Sequence, residues 1–99
     1  MLNSRQRAQL RGMANGIETI FQVGKTGVAE QIIKQVNDAL EARELIKMRV
    51  LETCPVNSRT AADTIASETG ADVVQVIGSR FVLFKRNPQE PVIDLKAAK

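Results

Sequence analysis

The spacing of apolar residues changes period several times along the chain, and each change marks a predicted element. Leu10, Met13 and Ala14 recur at the i, i+3, i+4 spacing of one helix face, with Ser4 placed to cap the start and Asn15-Gly16 to end it. From Ile17 to Val23 the pattern shortens to that of a strand, with Ile17, Phe21 and Val23 on one side and Glu18, Ile20 and Gln22 on the other. Between Val28 and about Arg43 a helical period returns. Val28, Ile32, Ile33, Val36, Ala39 and Leu40 share a face, with Glu30, Lys34, Asn37, Asp38 and Glu41 mostly opposite. Leu45 to Glu52 alternates, Ile46, Met48 and Val50 pointing one way and Leu45, Lys47, Arg49 and Leu51 the other.

Cys54-Pro55-Val56-Asn57 breaks that strand, and Ser58 is placed to cap a third helix with Ala62, Ile65 and Ala66 inward and Gly70 as its stop. Val73 to Ile77 and Phe81 to Phe84 then read as two strands of a hairpin turned at Gly78-Ser79. The order α-β-α-β-α-β-β predicts an α/β fold, a two-layer sandwich with a mixed four-stranded sheet. The domain is expected over residues 1–87, with 88–99 as a C-terminal tail, since that stretch holds two prolines and scattered charges and Val92-Ile93 is too short for another element.

A chain of 99 residues makes one small domain, and 43% apolar with 25% charged residues is the ordinary balance of a folded one. Lys and Arg number 14 against 11 Asp and Glu, a net +3 that permits a polyanionic partner without requiring one. The single cysteine, Cys54, allows no internal disulfide and no multi-thiolate zinc site. No apolar run reaches the ~18 residues of a membrane span, and Met1 to Arg7 leads into no secretory signal. A cytoplasmic protein that acts away from membranes is expected.

Between the first strand and the second helix stands Gly24-Lys25-Thr26-Gly27. Two glycines let a loop turn sharply and approach an anion, the helix that follows offers unpaired N–H groups, and Lys25 adds a cation. The same residues also suit an ordinary strand-to-helix turn. A nucleotide-binding P-loop is excluded, because its first glycine falls at position 19, which is Thr19. Catalysis finds little support. There is no histidine, Cys54 has no cationic neighbour to activate it, and Asp38, Glu41 and Glu44 read as the solvated side of the second helix. No cofactor and no metal site is expected, and the chain reads as a binding module rather than an enzyme.

The residues available to bind are Lys25 in the loop, Arg5, Arg7 and Arg11 on the first helix, and Lys47 and Arg49 on the second strand, provided the fold brings them together. Phe21, Phe81 and Phe84 read as core, so contact with the RNA backbone and shape is favoured over base stacking.

Val23-Gly24-Lys25-Thr26-Gly27-Val28, Ala42-Arg43-Glu44-Leu45-Ile46-Lys47, Glu68-Thr69-Gly70-Ala71 and Val74-Gln75-Val76-Ile77-Gly78, in this order of elements, resemble the CRM domain in its stand-alone bacterial YhbY-like form. The resemblance covers roughly residues 2 to 87 and implies a fold similar to the C-terminal domain of translation initiation factor three. It implies RNA binding in ribosome assembly, on the precursor of the large (50S) subunit; ribosomal proteins are expected as further partners and the chain is expected to be a monomer, while a protein-interaction module of the translation machinery, touching RNA only incidentally, is the alternative. It puts Gly24, Lys25, Thr26 and Gly27 at the RNA-contacting loop and Arg5, Arg7 and Arg11 on an adjacent basic helix, while Lys47 and Arg49 extend that set from the strand pattern. The G-x-x-G of KH domains joins two helices, whereas here it joins a strand to a helix, so only the local physics is shared.

Overall fold

The computed structural model describes residues 2–89, 91 and 93. They form α1 (Ser4–Ala14), β1 (Thr19–Val23), α2 (Glu30–Arg43), β2 (Leu45–Val50), α3 (Ser58–Thr69), β3 (Asp72–Ile77) and β4 (Arg80–Phe84). The strands make one mixed sheet in the order β1-β2-β4-β3, with β1 parallel to β2 and β4 antiparallel to both of its neighbours. The α/β class, the element order and the four-stranded mixed sheet agree with the pattern of the sequence.

The two crossovers, β1-α2-β2 and β2-α3-β3, step across the sheet in the same direction. Right-handed crossovers taken twice in one direction put both helices on the same face. Accordingly α2 and α3 bury Val36, Leu40, Ala62 and Ile65 against Ile46, Met48, Phe81 and Leu83 in one core. The other face belongs to α1, whose Leu10 and Ala14 pack on Leu45, Val74, Val82 and Phe84. The main sandwich of sheet and two helices thus gains a partial third layer. β4 returns between β2 and β3, where both of its sides are covered, which is why Phe81-Val82-Leu83-Phe84 is apolar throughout instead of alternating.

Several element boundaries move by a residue or two from the spacing-based expectation, each for a local reason. Asn3, not Ser4, caps α1, in a reciprocal box: its side chain accepts from the Gln6 N–H at 2.8 Å while the Gln6 side chain accepts from the Asn3 N–H at 3.2 Å. Asn57, not Ser58, caps α3 by accepting from the Thr60 N–H at 2.8 Å, and the Ser58 hydroxyl instead donates to the Gly78 carbonyl at 2.6 Å. Met13 is exposed, so α1 buries a narrow stripe of Leu10 and Ala14 only. Gly70 stops α3 in the left-handed region at φ +79°, as expected.

The largest correction concerns Glu44, expected on the solvated side of α2 and found fully buried. α2 ends at Arg43, and Glu44 turns back at φ +64°, a conformation uncommon for a residue with a side chain. Its carboxylate then accepts from the backbone N–H groups of Asn87 and Ile93, both at 2.6 Å, and its carbonyl accepts from the Lys85 N–H at 2.9 Å. Of the expected tail, residues 90, 92 and 94–99 lie outside the described residues, whereas Ile93 is buried beside Leu10 and Phe84. Lys85 meanwhile donates to the Thr69 carbonyl at 2.7 Å, placing a cation at the negative end of α3.

Removing the Glu44 carboxylate strands two backbone donors away from water. Glu44→Ala is therefore expected to lower stability by about 2–4 kcal/mol, read as a fall in the denaturant midpoint. Glu44→Gln should recover only part of that loss, because an amide has one acceptor oxygen where the carboxylate has two.

Candidate nucleic-acid interface

The loop between β1 and α2 is a four-residue turn. The Gly27 N–H donates to the Gly24 carbonyl at 2.9 Å, and Lys25 and Thr26 stand exposed at its tip. Only Gly27 needs to be glycine for its backbone: it has φ +69° and is buried, and a Cβ there would meet Pro55 Cγ at 3.2 Å. A Cβ on Gly24 would make ordinary contact with Leu51 Cδ1 at 3.5 Å, so that position has room. The turn thus rests on the loop that follows β2.

These two loops share an end of the sheet with the β3–β4 hairpin, and hydrogen bonds join all three. The Leu51 N–H donates to the Val23 carbonyl at 2.9 Å and the Val50 N–H to the Ser79 carbonyl at 2.7 Å. Here too begins α2. Its N-cap is Ala29, which supplies no side-chain hydrogen bond, while α1 and α3 each have an asparagine cap. An alanine cap forgoes about 1 kcal/mol of helix stability. It also leaves the first N–H groups of α2 without a side-chain acceptor, at the positive end of the helix and directly after the exposed Lys25-Thr26 tip.

Strand register places Arg49 of β2 near this loop and Lys47 two residues further from it. Arg49 and Lys47 lie on the sheet face opposite α2 and α3, and Gln22 of β1, two residues before Gly24, is the neighbour of Arg49. Across the other side of β2, Arg49 pairs directly with Arg80. Both arginines are exposed, and among the described residues the ion pair Arg59–Asp63 involves neither of them. Two like charges placed opposite each other on adjacent strands are destabilising unless an anion lies between them. The spacing of the sequence assigned Arg80 to neither strand of the hairpin and did not include it among the candidate binding residues. Its place opposite Arg49 follows from the register, which depends on β4 returning beside β2.

The first-helix arginines are arranged differently. Arg7 donates from Nη1 to the carbonyl of Val73, at the start of the edge strand β3, and so ties α1 to the sheet. β1 and β3 are opposite edges and Val73 lies at the end away from the Gly24–Gly27 turn. By strand rise and spacing, Arg7 is roughly 20 Å from that turn. Arg5 is exposed and Arg11 half-buried on the same helix. The structure therefore sets Arg49 opposite Arg80 two residues below the turn that carries Lys25, places Lys47 one row further down beside Thr19, and sets Arg5 and Arg7 at a separate corner.

Among the described residues no group of three His, Cys, Asp or Glu side chains could hold a metal ion, and no helix is long and apolar enough to cross a membrane.

Known proteins share this arrangement of elements and its sequence. The probable RNA-binding protein YqeI of Bacillus subtilis is 41% identical over 95 residues, covering 96% of this chain and 99% of that one. An RNA-binding protein of Haemophilus influenzae is 28% identical over 91 residues, 92% of each chain. The solution structure of a Staphylococcus aureus protein superimposes with a TM-score of 0.80 at 41% identity, over 97% of this chain and 100% of that one. These relatives are named for binding RNA and not for a catalytic activity. The profile of the CRS1/YhbY (CRM) domain matches residues 2–85, and the chain belongs to that family.

Proposed function

We propose that this chain is a cytoplasmic RNA-binding protein of ribosome assembly, which binds RNA of the large (50S) subunit precursor and catalyses no reaction. The observation that carries the reading is the pair Arg49 and Arg80, opposed across β2 and β4 beside the Gly24–Gly27 turn. The fold bears the repulsion of that pair and leaves the turn exposed, and a phosphate chain relieves the first while contacting the second. The names of the relatives support the same class of partner.

In this reading the N–H groups at the start of α2 hold phosphate oxygens, and Lys25, Lys47, Arg49 and Arg80 neutralise the chain on either side. Gly27 contributes by shaping the turn, since its own N–H is already used within it. Arg5 and Arg11 reach a more distant stretch of the same RNA, while Arg7 mainly positions the helix that carries them. Such contacts set affinity and orientation, not sequence.

Four measurements test this. Lys25→Ala should weaken RNA binding about 3–10-fold and reduce the slope of log affinity against log salt by about one. Gly24→Asp has room to fold, yet should weaken binding further by setting a negative charge beside the phosphate; unchanged affinity in both variants would remove the turn from the interface. Arg80→Gln should weaken RNA binding while leaving stability equal or raising it by a few tenths of a kcal/mol, as measured by anisotropy and denaturation on one preparation. In cell extract the protein should sediment with large-subunit precursors at low salt and leave them at high salt or after ribonuclease, whereas a complex indifferent to both would point to a protein partner.

A further inference from the structure

The face of the sheet that α2 and α3 leave uncovered carries a pocket of about 140 Å³, lined by Ala14, Asn15, Lys47, Gln75, Ile77 and Arg80. The register explains its composition. Lys47, Val82 and Gln75 form one row across β2, β4 and β3, and Arg49, Arg80 and Ile77 form the next. α1 ends at Ala14, which packs on Val82, so the row of Arg49, Arg80 and Ile77 beyond it is left open, and Asn15 is the exposed C-cap of the helix.

Three properties of this pocket point to one kind of occupant. Its surroundings are cationic: in the two rows, extended to Thr19 and Gln22 of β1, there are Lys47, Arg49 and Arg80 and no acidic residue. Its wall is apolar in part, and Ile77 is 62% exposed where an edge strand would ordinarily present a polar side chain. Its polar groups are two side-chain amides, Asn15 and Gln75, each offering a donor and an acceptor. An anion with a flat, hydrogen-bonding ring satisfies all three, which describes a nucleotide. Size narrows the choice further, since an apolar cavity of about 150 Å³ accommodates a single six-membered aromatic ring.

We infer that this pocket seats one unpaired pyrimidine nucleotide of the bound RNA, a reading that rests on the RNA-binding function proposed above. The ring lies against Ile77, the Arg80 guanidinium covers it in place of an aromatic platform, Asn15 and Gln75 meet its edge, and Lys47 and Arg49 take the flanking phosphates. The turn then supplies backbone affinity and the pocket supplies base preference.

The test is anisotropy of the full chain with labelled oligouridylate and oligoadenylate of equal length, together with a structured ribosomal RNA fragment. Oligouridylate should bind about tenfold tighter than oligoadenylate. Ile77→Asp and Asn15→Ala, both at exposed positions that the core does not need, should reduce that ratio to about twofold or less. Lys25→Ala should weaken both oligonucleotides while leaving the ratio intact. Equal affinity for the two, or a preference that survives both pocket variants, would overturn the pocket assignment and leave it to a protein side chain. Binding of the structured fragment alone would overturn it as well while preserving the RNA-binding function, and binding to none of the three would overturn both.

Discussion

The handedness of two crossovers is the constraint from which the rest of this fold follows. Both strand-helix-strand units advance the same way across the sheet, so α2 and α3 pack on one face and only α1 remains to cover the other. α1 has 11 residues and buries a narrow stripe. It covers Leu45, Val74, Val82 and Phe84 and leaves the row of Arg49, Arg80 and Ile77 open. A sheet face without a helix must be solvated, and here it is solvated by lysine, arginine and amide side chains rather than by a balance of charges.

The same topology gathers the loops. β1, β2 and β3 run parallel, so the turn after β1, the loop after β2 and the hairpin after β3 emerge at one end and hold one another in place. Gly27 against Pro55 sets how closely the first two can approach. This end is also where local stability is given up: α2 has no side-chain cap, and two arginines oppose each other without a carboxylate between them. Each feature costs on the order of 1 kcal/mol or less, and each favours an anion at this end of the sheet.

At the other end of the molecule the polar groups are satisfied internally. Glu44 is buried, but both of its carboxylate oxygens accept backbone N–H groups, and Lys85 completes the C-terminus of α3. The contrast separates structure from function by a physical criterion. Buried charge with its hydrogen bonds made holds the chain together, whereas exposed charge left facing like charge is available to a partner. By that criterion Arg7, bound to Val73, falls mostly on the structural side, while Arg80, facing Arg49, is left available.

How much of this was legible in the sequence depends on the range of the physics involved. Periodicity is local, so the seven elements, the Gly78-Ser79 hairpin and the two faces of β2 could all be read from spacing. The Gly24–Gly27 turn was legible for the same reason, and so was the resemblance of these stretches to the CRM domain. Glu44 was misread because helical spacing assumes that the helix continues, and it stops one residue earlier. The juxtaposition of Arg80 with Arg49, and the separation of Arg7 from the turn, were not legible, because neighbours across a sheet are set by strand order, and nothing in the chain's own period says that β4 returns between β2 and β3. The sequence by itself determined the elements, the loop and the supply of cations; the tertiary structure decided which cations meet and where α1 ends relative to the sheet, because burying β4 on both faces is a gain that only the assembled layers realise.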